Sequence, residues 1–223
     1  MPSRLRPTAP IAADAVLVGD PGRALLLAQE LLEQPKMSNH ARGLWAYFGT
    51  TPAGDELTIQ ATGMGGPSAA LVLSDLAKLG VKRAVRVGTC LGVDTSSNLG
   101  ELLVVGEAIA RGGSAASLGV DPGAAVAPDP VLTARLRAEL GGEGRLISVA
   151  SVDAHPAEHT DEPVDAVDMQ TAPLLARAGS LRIELAAVLI VSEAKSGMAN
   201  LTGETLEALE RRAGRAASAA LSA

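Results

Sequence analysis

Aromatic side chains are almost missing: Trp45, Tyr47 and Phe48 are the only three, 1% of the 223 residues. The core must therefore be built from Ala, Val, Leu and Ile, and a ligand that stacks on aromatic faces has few partners. Cysteine is limited to Cys90, which excludes an internal disulfide. No apolar run approaches the roughly 20 residues of a membrane-spanning helix. The run over 185–192 has instead the length of a buried strand. At the N-terminus, Arg4 and Arg6 precede a stretch broken by Pro10 and Asp14, which does not read as a signal peptide, so a cytoplasmic location is expected. Basic charge is also short, with a formal net charge of −6. That balance argues against a nucleic-acid surface, which needs a basic stripe to displace counterions. It leaves room for a small anion, because a few converging arginines can hold phosphate inside an acidic protein.

What remains is 47% hydrophobic, 20% charged and rich in glycine, the profile of a globular chain with many turns. The length fits one α/β domain, taken as 14–223 after a short N-terminal extension over 1–13, with no internal repeat or linker. Strands are expected at 15–19, 57–62, 83–88, 102–109, 146–150, 166–169 and 185–192. Helices are expected at 22–33, 67–79, 129–140, 171–178 and 203–222, and an extended Gly/Ala-rich loop at 112–127. The alternation predicts a central mixed β-sheet with helices on both faces.

Sheets of this kind bind ligands at the carboxyl ends of their strands. Gly19-Asp20-Pro21-Gly22-Arg23 would place backbone N–H groups, a helix N-terminus and an arginine around one point, an anion site. A plain turn with a solvated arginine is the competing reading. Arg86, inside an apolar strand and two residues before Gly88, is costly there unless paired. It is read either as a second anion ligand or as half of a structural salt bridge.

In order along the chain stand Gly19-Asp20-Pro21-Gly22-Arg23, Arg42-Gly43, Gly63-Met64-Gly65-Gly66-Pro67-Ser68, Arg86-Val87-Gly88-Thr89, Val167-Asp168-Met169-Gln170 and Val191-Ser192-Glu193. This series resembles the purine nucleoside phosphorylase and uridine phosphorylase family over roughly residues 14–215. The resemblance implies the fold of that family and a phosphate site made by Gly19, Arg23, Arg86 and Thr89, with Arg42 supplied by a neighbouring subunit. It implies nucleoside contacts from Met64, Cys90, Leu91, Ala150, Asp168, Met169 and Gln170. It also implies dimers that complete each other's sites, often gathered into hexamers. The reaction would be attack of phosphate on C1′ of a nucleoside, positioned by Arg23, Arg42 and Arg86, with Glu193 protonating the leaving base. Inorganic phosphate would be a co-substrate, with no cofactor and no metal.

The departures from the family pattern fall on the nucleoside side. Glu193 stands for the usual Asp, and Asp168-Met169-Gln170 for Glu-Met-Glu. Leu91 replaces a base-facing Gly, and Ala150 a stacking Phe. The histidine that several members bring from a neighbour's N-terminus is missing from residues 1–13, and no Gln-x-Arg pair of the uridine phosphorylase kind is present. Glu193 and the missing pair favour a purine-like base. A hydrolytic nucleosidase and a non-catalytic phosphate- or nucleoside-binding protein are the alternatives.

Several other signals are weaker. His155-Pro156-Ala157-Glu158-His159 fits the spacing of inverted zinc proteases, yet Pro156 and the missing third ligand read as a loop over the site, where His155 or His159 could touch a substrate. The glycines of 63–68 lack the closing Gly and the later acid of a dinucleotide fingerprint. Cys90 has no visible partner that would make it a nucleophile. Glu204, Glu207, Glu210, Arg211 and Arg212 read as a solvated helix face. Lys195 stands close enough to Glu193 to orient it, or is a plain surface lysine.

Overall fold

The computed structural model describes residues 4–93, 97–142, 144–159, 161–194 and 200–222. Its elements run β1 (Asp14–Val18), α1 (Pro21–Leu31), β2 (Glu33–Asn39), β3 (Ala46–Thr50), β4 (Glu56–Ala61), α2 (Gly65–Leu79), β5 (Arg83–Gly92), β6 (Leu102–Ala110), α3 (Gly113–Ala116), β7 (Ala125–Val126), α4 (Pro130–Glu139), β8 (Arg145–Ser151), β9 (Ala166–Asp168), α5 (Thr171–Leu181), β10 (Glu184–Ala194) and α6 (Gly203–Ser222). All ten strands belong to one mixed sheet, in the order β10-β6-β8-β9-β5-β1-β4-β3-β2, with β7 on β6. An additional parallel pairing of β10 with β5 closes β5, β10, β6, β8 and β9 into a ring.

Helices cover both faces, as the rhythm of the sequence requires. Along β1, Ala15 and Leu17 enter the core shared with α2 and α5, while Val16 and Val18 enter the core shared with α1, α4 and α6. Successive side chains of a strand point to opposite faces, so a strand apolar at every position must be buried on both. The packing uses small side chains, as the near absence of aromatics demands. At Gly214 in α6 a Cβ would lie 2.6 Å from Leu27 Cδ2 in α1, which sets how closely those helices approach.

The helix ends follow local chemistry. Asp20 caps α1 by accepting from the Arg23 N–H at 2.9 Å, and Asp129 caps α4 by accepting from the Leu132 N–H, each with proline just behind.

The expectations fail at identifiable places. The strand expected to end at Gly88 runs on to Gly92, because residues 89–92 pair with β10 and Leu91 and Gly92 also pair with Val167 and Ala166 of β9. The segment 112–127 is not an extended loop throughout, since it holds the single turn α3 and the short β7. The hairpin of β2 and β3 was not anticipated. β2 reads Glu-Gln-Pro-Lys-Met-Ser-Asn and is exposed over its first five residues, an edge strand without apolar alternation. Residues of the N-terminal extension are tied to the body: the Arg4 and Leu5 N–H groups donate to Asp75, and Ala12 N–H donates to Thr58 Oγ1.

Candidate active site

A cavity of about 320 Å³ opens at the carboxyl ends of β1, β4 and β5, bounded also by β9 and β10. Two glycine-containing turns line it. After β1 the chain turns through Gly19 into α1. After β4 it turns through Gly63 at φ 73° and Gly65 at φ 77°, with Met64 as the N-cap of α2. A Cβ on Gly63 would lie 2.8 Å from Ser68 Oγ, which itself donates to the Thr62 carbonyl at 2.6 Å. The turn therefore needs glycine for space as well as for its left-handed backbone. Met64, at the mouth of the cavity, is 87% exposed.

Strand β5 supplies the floor with Arg86, Gly88, Thr89, Cys90 and Leu91. Two residues apart on one strand, Arg86 and Gly88 share a face, and a Cβ on Gly88 would stand 2.6 Å from Arg86 Cζ. Gly88 is the vacancy in which the guanidinium lies. Arg86 is 4% exposed and donates to Asp168 Oδ2 at 2.9 Å, Gln170 Oε1 at 2.7 Å and Thr171 Oγ1 at 3.2 Å. The salt-bridge reading of Arg86 is thus realised, and Arg86 lines the cavity as well. Three of the five guanidinium N–H groups have these partners, which leaves two for a ligand.

The segment Asp168-Met169-Gln170 connects β9 to α5 and binds the site's two halves together. Asp168 accepts from Ser151 Oγ at 2.5 Å and Thr171 Oγ1 at 2.7 Å besides Arg86, so its carboxylate faces inward to a full set of donors. Gln170 donates to the Gly63 carbonyl at 2.5 Å and the Gly65 carbonyl at 3.2 Å, while its Oε1 accepts from Arg86 and Thr62. A neutral amide, with both donors and an acceptor, can do this where a carboxylate would face two carbonyl oxygens. Met169 lies between them on the cavity wall.

Next to β5, β10 bulges between Val191 and Glu193, and Ser192 and Glu193 line the cavity. Glu193 is half-buried, and its carboxylate has no hydrogen-bond or ion-pair partner among the described residues. Lys195, considered as its neighbour, lies outside the described residues. His155 and Pro156 close the rim from a 3-10 turn over Pro156–His159. Among the described residues no group of three His, Cys, Asp or Glu side chains is placed to hold a metal ion. Burial pushes the Cys90 thiol well above its ordinary pKa, with Asp168 adding to the effect, so the sulfur stays protonated and is no nucleophile.

Arg23, from the first turn of α1, reaches the cavity beside Gly19. Its Nε donates to Glu210 Oε1 at 2.6 Å, and both side chains are more than nine-tenths buried. This overturns the reading of Glu210 as part of a solvated face; Arg211 of the same group does face outward, to Glu30 and Glu207. No signal in the sequence paired residues 23 and 210. The pairing is tertiary: Glu210 lies one turn before Gly214 and Arg23 one turn before Leu27, and the Gly214–Leu27 contact brings them together.

The structure thus gathers Gly19, Arg23, Met64, Arg86, Thr89, Cys90, Leu91, Asp168, Met169, Gln170 and Glu193 around one cavity. Two expected residues are elsewhere. Ala150 is fully buried behind the wall with Leu91, Val93, Val152 and Val167. Arg42 is exposed at φ 62° on the outer surface, among residues that line two other depressions. His155, expected as one of two histidines that could touch a substrate, does line the cavity, and Ser192 and the glycines 63, 65 and 88 line it without having been singled out as ligands.

Residues 14–223 match the family model described as the phosphorylase superfamily. A DeoD-type purine nucleoside phosphorylase of Geobacillus kaustophilus is 31% identical over 231 aligned positions, covering 92% of this chain and 89% of that protein. One from Caldanaerobacter subterraneus subsp. tengcongensis is 29% identical, covering 91% of this chain and 89% of that one. The alignment with the corresponding enzyme of Oceanobacillus iheyensis is 38% identical but spans only 42% of this chain and 40% of that protein. In structure, the uridine phosphorylase of Vibrio fischeri ES114 superposes with a TM-score of 0.84 at 19% identity, over 95% of this chain and 92% of that one. With the cavity at the strand ends and the ordered motifs around it, these matches show that the chain belongs to the phosphorylase superfamily, among the nucleoside phosphorylases.

Proposed function

We propose that the protein cleaves the N-glycosidic bond of a nucleoside with inorganic phosphate, releasing the free base and a pentose 1-phosphate, and that the base is purine-like. The observation that carries the reading is the convergence of Arg23, Arg86, Thr89 and the Gly19 turn on one cavity that a carboxyl group, Glu193, also lines. A phosphate held by the arginines and the Thr89 hydroxyl presents an oxygen to C1′. The C1′–N bond breaks as the C1′–O bond forms, and the electron pair goes to the base nitrogen. Glu193, with no protein partner for its carboxyl among the described residues, is free to hydrogen-bond the base and deliver a proton to it. Met64 and Met169 flank the sugar, and Gln170 fixes the loop above it. Arg42 does not line its own cavity and is exposed, which supports the reading that it serves a second copy in a dimer with shared sites.

Hydrolysis by water is the second reading, and one observation favours it: both cavity arginines already have carboxylate partners, Asp168 and Glu210. Purine and pyrimidine nucleosides incubated with the protein, with and without phosphate, separate the readings. Release of purine base that requires phosphate is the expected result. Release at the same rate without phosphate makes the protein a nucleosidase, and release of pyrimidine alone overturns the assignment of the base.

A further inference from the structure

Resting on the proposed phosphate site, we infer that Glu210 of α6 is a positioning residue that acts through Arg23: it aims the guanidinium at the anion and weakens its hold on it. The Nε of Arg23 is spent on Glu210 at 2.6 Å, which fixes the plane of the guanidinium and leaves the outer nitrogens for the cavity. The outer nitrogens are lightly used, with one at a long 3.5 Å from the Val87 carbonyl. Glu210 itself is 6% exposed and does not line the cavity, so it cannot touch a ligand directly.

A fold would not need an acid there. The rest of that face of α6 is Ala213, Gly214, Ala217 and Leu221, packed on α1 and β5, and burying an ion pair is no more stabilising than packing apolar side chains of similar volume. What the acid does supply is a negative charge fixed behind one of the two arginines lining the cavity, and the other, Arg86, is likewise backed by Asp168. An anion bound there gains directed hydrogen bonds but little net charge attraction. Binding that is equally tight before and at the transition state adds nothing to turnover, so an arginine tempered in this way keeps the co-substrate from being held uselessly tightly.

The test is calorimetric titration with inorganic phosphate. Glu210→Gln keeps an oxygen that can accept from Arg23 Nε and removes the charge. It is expected to lower the phosphate Kd by about three- to ten-fold, and KM for phosphate by more than kcat changes. In an Arg23→Gln background the same change should leave the phosphate Kd where it was, since the effect passes through Arg23. A Kd unchanged or raised in folded Glu210→Gln overturns the inference, as does an equal effect with Arg23 already replaced. Should that variant fail to fold, the wild-type protein still decides: the Arg23 Nε–H resonance is expected to shift on saturation with phosphate, and an unmoved resonance with phosphate bound overturns the coupling. Wild-type protein that binds no phosphate defeats the phosphate site itself, and this inference with it. Phosphate binding lost in Arg23→Ala but indifferent to Glu210 defeats this inference alone.

Discussion

Arg86 shows how a single residue can carry both structure and chemistry. Its charge is affordable in the sheet only because Asp168 meets it, and Asp168 is in turn held by Ser151 and Thr171. Asp168→Ala leaves a buried guanidinium unpaired and should destabilise the protein by about 3–5 kcal/mol, read from chemical denaturation. Gly88→Ala acts on the same group sterically. The new Cβ would stand 2.6 Å from Arg86 Cζ with Leu189 Cδ2 at 2.9 Å on its other side, so the guanidinium must leave. We expect a loss of about 1–3 kcal/mol in stability and a clear rise in KM for phosphate. Glu193→Gln removes the proposed proton donor but not the cavity, and on that proposal should cut kcat on a purine nucleoside by about 10²–10⁴ while the phosphate Kd stays within two- or three-fold. These residues were legible to different degrees. Arg86 was visible because a charge inside an apolar strand demands an explanation. Glu210 was invisible, because an acid on a helix rich in charges looks solvated until the neighbouring helix is known.

At the scale of elements, periodicity and capping gave α6 to the residue and the other long helices to within a few positions, since their ends are marked by Asp20, Asp129 and Gly80. The strands buried on both faces were equally plain. What escaped was determined by pairing rather than by local pattern: the polar edge strand β2, the two-residue β7, and the last residues of β5, which are strand because β10 and, at Leu91 and Gly92, β9 lie beside them. That last case matters for the site, because it puts Thr89, Cys90 and Leu91 on a rigid strand instead of a loop. The approach of α6 to α1 is a second such feature. Gly214→Val should push the helices apart at Leu27, lower the melting temperature by several degrees, and weaken phosphate binding by loosening the Arg23–Glu210 pair.

At the scale of the whole molecule, one chain presents a cavity with two arginines and a third, Arg42, turned away to the outside. A shared site follows if a second copy brings that surface to this cavity. Mixed dimers of Arg42→Ala and Arg23→Ala subunits should regain up to about a quarter of wild-type activity, each pair having one intact site of two in half the molecules. No recovery in verified hybrids places both arginines in the same site or removes Arg42 from it. The ordered motifs made the family legible from the sequence, while the nucleoside side was not, because its selectivity depends on which of Leu91, Gln170 and Glu193 face the ligand once the strands have closed.

The central claim is that phosphate, not water, attacks the sugar. It is tested most directly by running the reaction in heavy-oxygen-labelled phosphate and weighing the sugar product by mass spectrometry. The account predicts a pentose 1-phosphate that carries the label on every phosphate oxygen, including the one bound to C1′. A free pentose with oxygen from the solvent would contradict it.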